Sequence, residues 1–191
     1  MSVQAILQRI AGGDRLAFAE LVRLYQRPLF SFLGRMGMGQ AQAEDIAQET
    51  FLRAWTHLQR FDPARAQFGT WLFAIARNLA YDALSKTLHR APSHGNAPEA
   101  ELLEQQPSSQ PGPEQCLDSA QQQARLQAAL RQLPMADRSA LALVYVHELA
   151  LADVARIEGD SVAAIKTRMH RAKRRLRELL DLNTELETRH D

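Results

Sequence analysis

The acidic, proline-rich middle of the chain sets the strongest limit on what the protein can fold into. Five of the eight prolines lie between residues 91 and 124, together with five acidic side chains and no Lys or Arg. Proline removes backbone hydrogen-bond donors, and this stretch has few apolar groups for a core. We therefore expect two small domains, residues 1–90 and 119–191, joined by a flexible linker at residues 91–118.

Apolar spacing predicts that both domains are all-α, because no segment shows the alternation that is typical of strands. Pro28 is expected to end or bend one helix, and Asp137 is expected to cap another. The stretch from Val154 to Ile165 predicts a helix-turn-helix with its turn at Gly159. The clearest buried helical stripe comprises Ala43, Ile46, Ala47, Thr50, Phe51, Ala54, Trp55 and Leu58.

The composition excludes several classes of protein. The single cysteine, Cys116, rules out an intramolecular disulfide and a thiolate zinc site, and the six histidines are scattered. We find no catalytic constellation and expect no enzyme activity, metal or cofactor. The sequence contains neither an export signal nor an apolar stretch long enough to span a membrane, so we expect a soluble cytoplasmic protein.

The most basic stretch follows the helix-turn-helix. Seven of the twelve residues from Lys166 to Arg177 are Lys or Arg, although the whole chain has a net charge of only +1. Because each phosphate that a cation neutralises releases a counterion, clustered cations on one helix favour nucleic-acid binding. The alternative is an ordinary solvated face of a surface helix.

Two further patches lie in the first domain. The acidic face, Asp45, Gln48, Glu49 and Leu52, has helical spacing and suits a basic protein partner, although it would also suit an ordinary solvated face. The aromatic loop, residues 60–71, combines three aromatic residues with two arginines. Such residues can stack on unpaired bases, and they can equally anchor the loop to the core.

These patches carry a resemblance to a known family. Residues 43–55 and 68–80 resemble region 2 of bacterial sigma factors, and residues 162–173 resemble region 4. Two such domains with a linker between them are similar to the extracytoplasmic-function (ECF) subfamily of the sigma-70 family.

The resemblance implies a function for each patch. The chain would bind the β′ and β subunits of core RNA polymerase, and its acidic face would dock on the clamp helices of β′. An anti-sigma factor would be a further partner. Contacts to the −10 element of the promoter would come from Arg60, Phe61, Arg65, Gln67, Phe68, Thr70, Trp71, Arg77, Asn78 and Tyr81. Contacts to the −35 element would come from Ser161, Val162, Ala164, Ile165, Lys166, Arg168, Met169, Arg171 and Lys173.

The sequence departs from the family pattern where Ala150 replaces a Ser-type helix cap and where Ala163 and Ala164 replace a Gly-Thr pair. Two other classes stay open at this point. A transcription regulator with a C-terminal helix-turn-helix would bind duplex DNA without polymerase, but it would leave the acidic face unexplained. A nucleic-acid-processing enzyme would need a catalytic constellation.

Overall fold

The computed structural model describes residues 2–89, 122 and 124–187, and the regular elements of this part are all helical, which confirms the all-α prediction. The expected linker at residues 91–118, including Cys116, lies outside the described residues. Short 3₁₀ turns occur at Arg15–Ala17 and Leu58–Arg60. The helices are α1 (Val3–Ala11), α2 (Phe18–Arg35), α3 (Gln40–Thr56), α4 (Phe68–His89), α5 (residues 124–131), α6 (Met135–Tyr145), α7 (Leu151–Glu158) and α8 (Val162–Glu187).

Helices α1–α4 form the first lobe, in which α2, α3 and α4 pack against one another and α1 packs on α2. Leu29, Phe32 and Leu72 are fully buried between these helices. Each such side chain stabilises the fold by about 1.5–3 kcal/mol through burial alone. The rings of Phe32 and Phe73 meet edge to face, with centroids 5.5 Å apart.

Two expectations for the first lobe are corrected in part. Of the two outcomes expected at Pro28, an end or a bend of the helix, the end is excluded: α2 runs through Pro28, because Leu29, Phe32 and Leu33 hold the following turns in the core. Trp55 is 36% exposed and lies at the edge of its stripe, against Phe18 with ring centroids 5.0 Å apart.

Helices α5–α8 form the second lobe and contain the predicted helix-turn-helix. Gly159 ends α7 in the left-handed conformation at φ 70°, which glycine adopts without steric penalty. Ser161 caps α8 by accepting a hydrogen bond from the Ala164 N–H at 3.1 Å. Ala150, at the start of α7, gives no side-chain cap, as expected from its sequence.

The expected cap at Asp137 is wrong. Helix α6 begins at Met135 with Pro134 in the cap position, and Asp137 lies in its first turn. The fixed φ of proline suits the entry to a helix, so the cap and the start of the helix lie three residues earlier than expected. Burial raises the pKa of Asp137.

The two lobes pack directly on each other, α7 on α4 and α6 on α2, and most of their buried apolar residues form one cluster across the junction, while a second cluster lies within the first lobe. Arg138 of α6 crosses Gly37, where a Cβ would lie 2.5 Å from the arginine Nη1. Gly37 therefore permits this close approach. Sequence reasoning did not determine the relative placement of the lobes.

His147 makes the lobe junction sensitive to acid. Its ring lies against Phe73 and Phe32, with centroids 4.8 Å and 6.2 Å apart, and burial together with nearby Arg35 lowers its pKa to about 4. In the unfolded chain this histidine binds a proton near pH 6.5, whereas in the folded chain it does so only near pH 4. The free energy of unfolding therefore falls as pH decreases from about 6.5 towards about 4.

We expect the free energy of unfolding, measured by urea titration, to fall by about 1 kcal/mol between pH 7 and pH 5 because of this group, after solvent screening is allowed for. His147→Phe should remove that part of the pH dependence. An identical pH dependence in the variant would contradict the assignment to His147.

Candidate nucleic-acid interface

The cationic groove is an open surface groove along one side of α8, lined by Lys166, Thr167, His170, Arg171 and Arg174. These positions recur at helical spacing and therefore share one side of the helix. The groove directly follows the turn at Gly159, so the second helix of the helix-turn-helix presents its cations to solvent. This is the geometry with which such a helix enters the major groove of DNA.

The opposite side of α8 belongs to the core. Ile165 and Met169 are buried, Ile165 completely, within the cluster that joins the two lobes. The expectation that these two side chains face DNA is therefore corrected, because their helical phase turns them towards α6 and α7. Val162 is 39% exposed at the start of the helix and stays on the solvent side.

Two more cations of α8 are engaged within the protein. Arg168 donates to Oδ2 of Asp160 at 2.6 Å, and the Nζ of Lys173 lies 4.6 Å from the centroid of the Tyr145 ring. Arg168 would have to leave Asp160 to reach a phosphate, whereas Lys173 is exposed and contacts only the face of a ring. The hydroxyl oxygen of Ser161 accepts the capping hydrogen bond of α8, which leaves its O–H able to donate to another group.

The aromatic loop forms a packed cluster at the start of α4. Phe61, Phe68 and Trp71 lie in mutual contact, with ring centroids between 5.3 and 5.8 Å apart. Phe68 and Thr70 are buried, whereas Phe61 and Trp71 are partly exposed. The structure thus corrects the expectation for Phe68 and Thr70, which serve the core, and leaves Phe61 and Trp71 accessible. The exposed polar residues of this loop are Arg60, Arg65 and Gln67.

Phe68 is the anchor of this cluster. We expect Phe68→Ala to lower the free energy of unfolding by about 3–5 kcal/mol, because it empties a site that also contacts Tyr25. Phe61→Ala, at a half-buried position, should cost clearly less. Urea unfolding of both variants checks this ranking, and equal losses would contradict the role of Phe68 as the anchor.

Helix α4 continues with a polar group that contacts the second lobe. The guanidinium carbon of Arg77 lies 4.0 Å from the centroid of the Tyr81 ring, and the arginine donates to Oε2 of Glu158 at 3.2 Å. Burial, reinforced by Glu158, raises the pKa of Tyr81 to about 12. Asn78 is exposed beside them and accepts a hydrogen bond from Arg77 at 3.1 Å.

The acidic face lies on the outer side of α3, as its spacing predicted. Leu52 is 56% exposed, Asp45 and Gln48 are exposed, and Glu49 is half-buried. Arg53 donates to Glu49 at 2.6 Å, an i,i+4 pair that offsets part of the negative charge. Asp45 is therefore the main uncompensated charge of this face within the described part of the chain.

Comparison with known proteins matches each lobe to a protein-family model. The family model for sigma-70 region 2 matches residues 21–89, and the model for sigma-70 region 4 matches residues 123–176. The chain belongs to the sigma-70 family.

This sigma factor is similar to curated ECF members of the family. It is 31% identical to the ECF RNA polymerase sigma factor SigW of Bacillus subtilis, over 94% of this chain and 97% of the relative. It is 34% identical to the ECF RNA polymerase sigma factor RpoE of Cereibacter sphaeroides, over 86% and 87% of the two chains. The solved structure of CnrH in complex with the cytosolic domain of CnrY has a TM-score of 0.68 at 25% identity, and the match covers 93% of this chain and 96% of that chain.

Membership of this family defines the activity of the protein. A sigma factor is a transcription initiation factor that binds core RNA polymerase and directs initiation at promoters. Across the described residues no helix is long and apolar enough to cross a membrane, and the same residues contain no His, Cys, Asp and Glu group that could hold a metal ion.

Sequence reasoning missed three residues of the cationic groove of this sigma factor. Thr167, His170 and Arg174 line it together with Lys166 and Arg171. Helical phase could have found them, since the five positions fall on one side while Ile165, Met169 and Ala172 fall on the other. Selecting cations by charge alone instead included Arg168 and Lys173, which have partners within the protein.

Proposed function

We propose that this sigma factor holds promoter DNA at two points while it is docked on core RNA polymerase through a third surface. The observation that carries the proposal is the exposed cationic groove on α8, the second helix of a helix-turn-helix, in a chain whose other lobe matches region 2. In this division residues 1–90 act as region 2 and residues 119–191 act as region 4.

The acidic face of α3 is the proposed docking surface for polymerase. Asp45, Gln48 and Glu49 offer acceptors, and Leu52 offers an exposed apolar contact beside them. A compact acidic patch with one apolar residue suits a basic helical surface, because complementary charge steers the encounter and apolar burial adds affinity. We assign the β′ clamp helices as that surface, and the β subunit as a further contact of the bound chain.

The −10 element is the proposed target of the first lobe. Phe61 and Trp71 lie partly exposed at the start of α4, where an unpaired base can stack on them at about 1–3 kcal/mol per base. Arg60, Arg65 and Gln67 surround these rings, and Arg77, Asn78 and Tyr81 continue along α4. Stacking of unpaired bases would offset the cost of opening the duplex.

The −35 element is the proposed target of α8. The duplex would contact the cationic groove, with Lys166, Arg171 and Arg174 on phosphates or base edges and Thr167 and His170 between them. At the start of the same helix Val162 is exposed and Ala164 is half-buried. Binding of this kind weakens steeply with salt, because released counterions contribute much of its free energy.

We further propose regulation by an anti-sigma factor. The similar structure contains CnrH together with the cytosolic domain of CnrY, and a second structure of the same fold contains a sigma factor with the anti-sigma factor NepR from Bartonella quintana. A protein of this kind would occupy the polymerase- and DNA-binding surfaces until a signal releases it. The chain would act in the cytoplasm, without a cofactor or metal of its own.

Gel filtration with core RNA polymerase tests the proposal. The purified chain should comigrate with core polymerase and should be displaced by an excess of another sigma factor, since both would use the same docking surface. A chain that binds duplex DNA but never comigrates with core polymerase would instead be an ordinary helix-turn-helix regulator.

A further inference from the structure

Tyr25 of α2 supports the aromatic cluster at the start of α4. Its ring lies against the buried ring of Phe68, with centroids 5.4 Å apart and the two planes inclined at 58°. Phe68 in turn contacts Phe61 and Trp71, the two partly exposed rings of the cluster. Tyr25 is thus joined to the exposed rings through Phe68.

Gly69 brings the first turn of α4 directly onto the same tyrosine. Gly69 is buried, and a Cβ at this position would lie 3.1 Å from Cε1 and 3.2 Å from Oη of Tyr25. Such distances are shorter than ordinary van der Waals contact, so a larger residue would push the ring or the turn aside. The turn that carries Phe68 and Trp71 is therefore held against α2 by close packing on the Tyr25 ring.

This support matters because of the role proposed for the exposed rings. Phe61 and Trp71 lie with centroids 5.3 Å apart and planes inclined at 41°, and a stacked base needs both rings in one orientation. If the rings could rearrange, ordering them on binding would cost conformational entropy and would weaken the affinity for the base. Rings that rest on a packed support avoid that cost.

We propose that Tyr25 is a positioning residue for the opening of the −10 element. Its ring fits over Gly69 and holds Phe68, and it thereby fixes Phe61 and Trp71 in the orientation that receives an unpaired base. Tyr25 acts through Phe68 and not through a contact of its own with DNA. The part that concerns DNA rests on the proposed function, whereas the support of the rings does not.

Three variants of the full-length chain, with one control, test the support. Tyr25→Leu removes the ring but keeps an apolar side chain, and Tyr25→Phe keeps the ring. Gly69→Ala displaces the ring from α4 although alanine has the higher helix propensity, so it separates displacement from loss of helix stability. Phe32→Leu is the matched control, because Phe32 is a fully buried ring of the same helix that packs against Phe73, outside the aromatic cluster.

The first readout is the local motion of Trp71 in the absence of DNA, measured by time-resolved fluorescence anisotropy. All chains carry Trp55→Phe, which leaves Trp71 as the single tryptophan. We expect wider motion of the indole in Tyr25→Leu and Gly69→Ala than in the parent, Tyr25→Phe and Phe32→Leu. Unchanged motion in the first two, or an equal increase in Phe32→Leu, would overturn the support by Tyr25. If Tyr25→Leu does not fold, Gly69→Ala decides the result.

The second readout is the affinity of a labelled, mixed-sequence single-stranded DNA for the complex of each chain with core RNA polymerase, with Trp55 restored and core polymerase alone as the reference. We expect at least about fivefold weaker binding in Tyr25→Leu and Gly69→Ala than in Phe32→Leu, which is about the effect of one weakly stacked base. Tyr25→Phe should bind like the parent.

The two readouts separate the support from the proposed function. Wider motion of Trp71 with unchanged DNA binding would overturn the role of Tyr25 in opening. If the parent complex binds the strand no better than core polymerase alone, although Trp71 responds to Tyr25→Leu, the proposed function of the first lobe fails while the support stands.

Discussion

Asp45→Lys is expected to abolish the complex between this sigma factor and core RNA polymerase. Asp45 is exposed on the acidic face of α3 and has no ion-pair partner among the described residues. Reversal of its charge therefore changes the field of the docking face directly, whereas Glu49 is partly compensated by Arg53. Like charges brought together in an interface cost several kcal/mol, so we expect a loss of affinity of about 100-fold or more.

Asp82→Lys is the matched control for this experiment. Asp82 is also an exposed aspartate on a helix of the first lobe, but it lies on α4, outside the acidic face. Both variants should keep the circular dichroism and urea unfolding curve of the parent chain, because neither position is buried. Equal loss of polymerase binding in the two variants would indicate a general effect of charge and would contradict the assignment of the docking face.

Loss of two cations from the groove on α8 should weaken DNA binding strongly. Arg171 and Arg174 line the groove without holding the fold, since Arg171 is exposed and Arg174 has only a loose partner in Glu178 at 3.6 Å. For Arg171→Ala combined with Arg174→Ala we expect about 30-fold weaker binding or more, since two contacts of about 1–3 kcal/mol each are lost. The slope of log affinity against log salt should fall by about two units.

Arg175→Ala separates the groove from the general charge of α8. Arg175 does not line the groove, and because it follows Arg174 directly it is turned by about 100° around the helix from that arginine. Its loss should leave the salt slope nearly unchanged when fluorescence anisotropy is measured on a labelled duplex. If Arg175→Ala weakens binding as much as the loss of a groove arginine, DNA binding depends on the total charge of α8 and the groove is not the contact surface.

The sequence predicts those parts of the fold that depend on interactions between neighbouring residues. The stripe of α3 and the turn at Gly159 were readable because helical period and glycine conformation are properties of a few neighbouring residues. The sequence left open whether Pro28 ends or bends α2. The helix continues because packing of Leu29 and Phe32 outweighs the loss of one backbone hydrogen bond.

The sequence likewise predicted only part of the candidate site. Charge and resemblance located α8, but they did not separate the buried Ile165 and Met169 from the exposed Arg174. The contact between Arg77 and Glu158 joins residues that are 81 positions apart. No local pattern indicates such a pair, because it depends on how the lobes dock.

Mapping of RNA 5′ ends tests the central claim most directly. Fragmented genomic DNA from the source bacterium is transcribed by core RNA polymerase with and without the chain, and the ends of the products are sequenced. A promoter-specific sigma factor should create start sites that are absent with core polymerase alone and that share two sequence elements upstream, near −10 and −35. The same set of 5′ ends in both reactions would contradict the account.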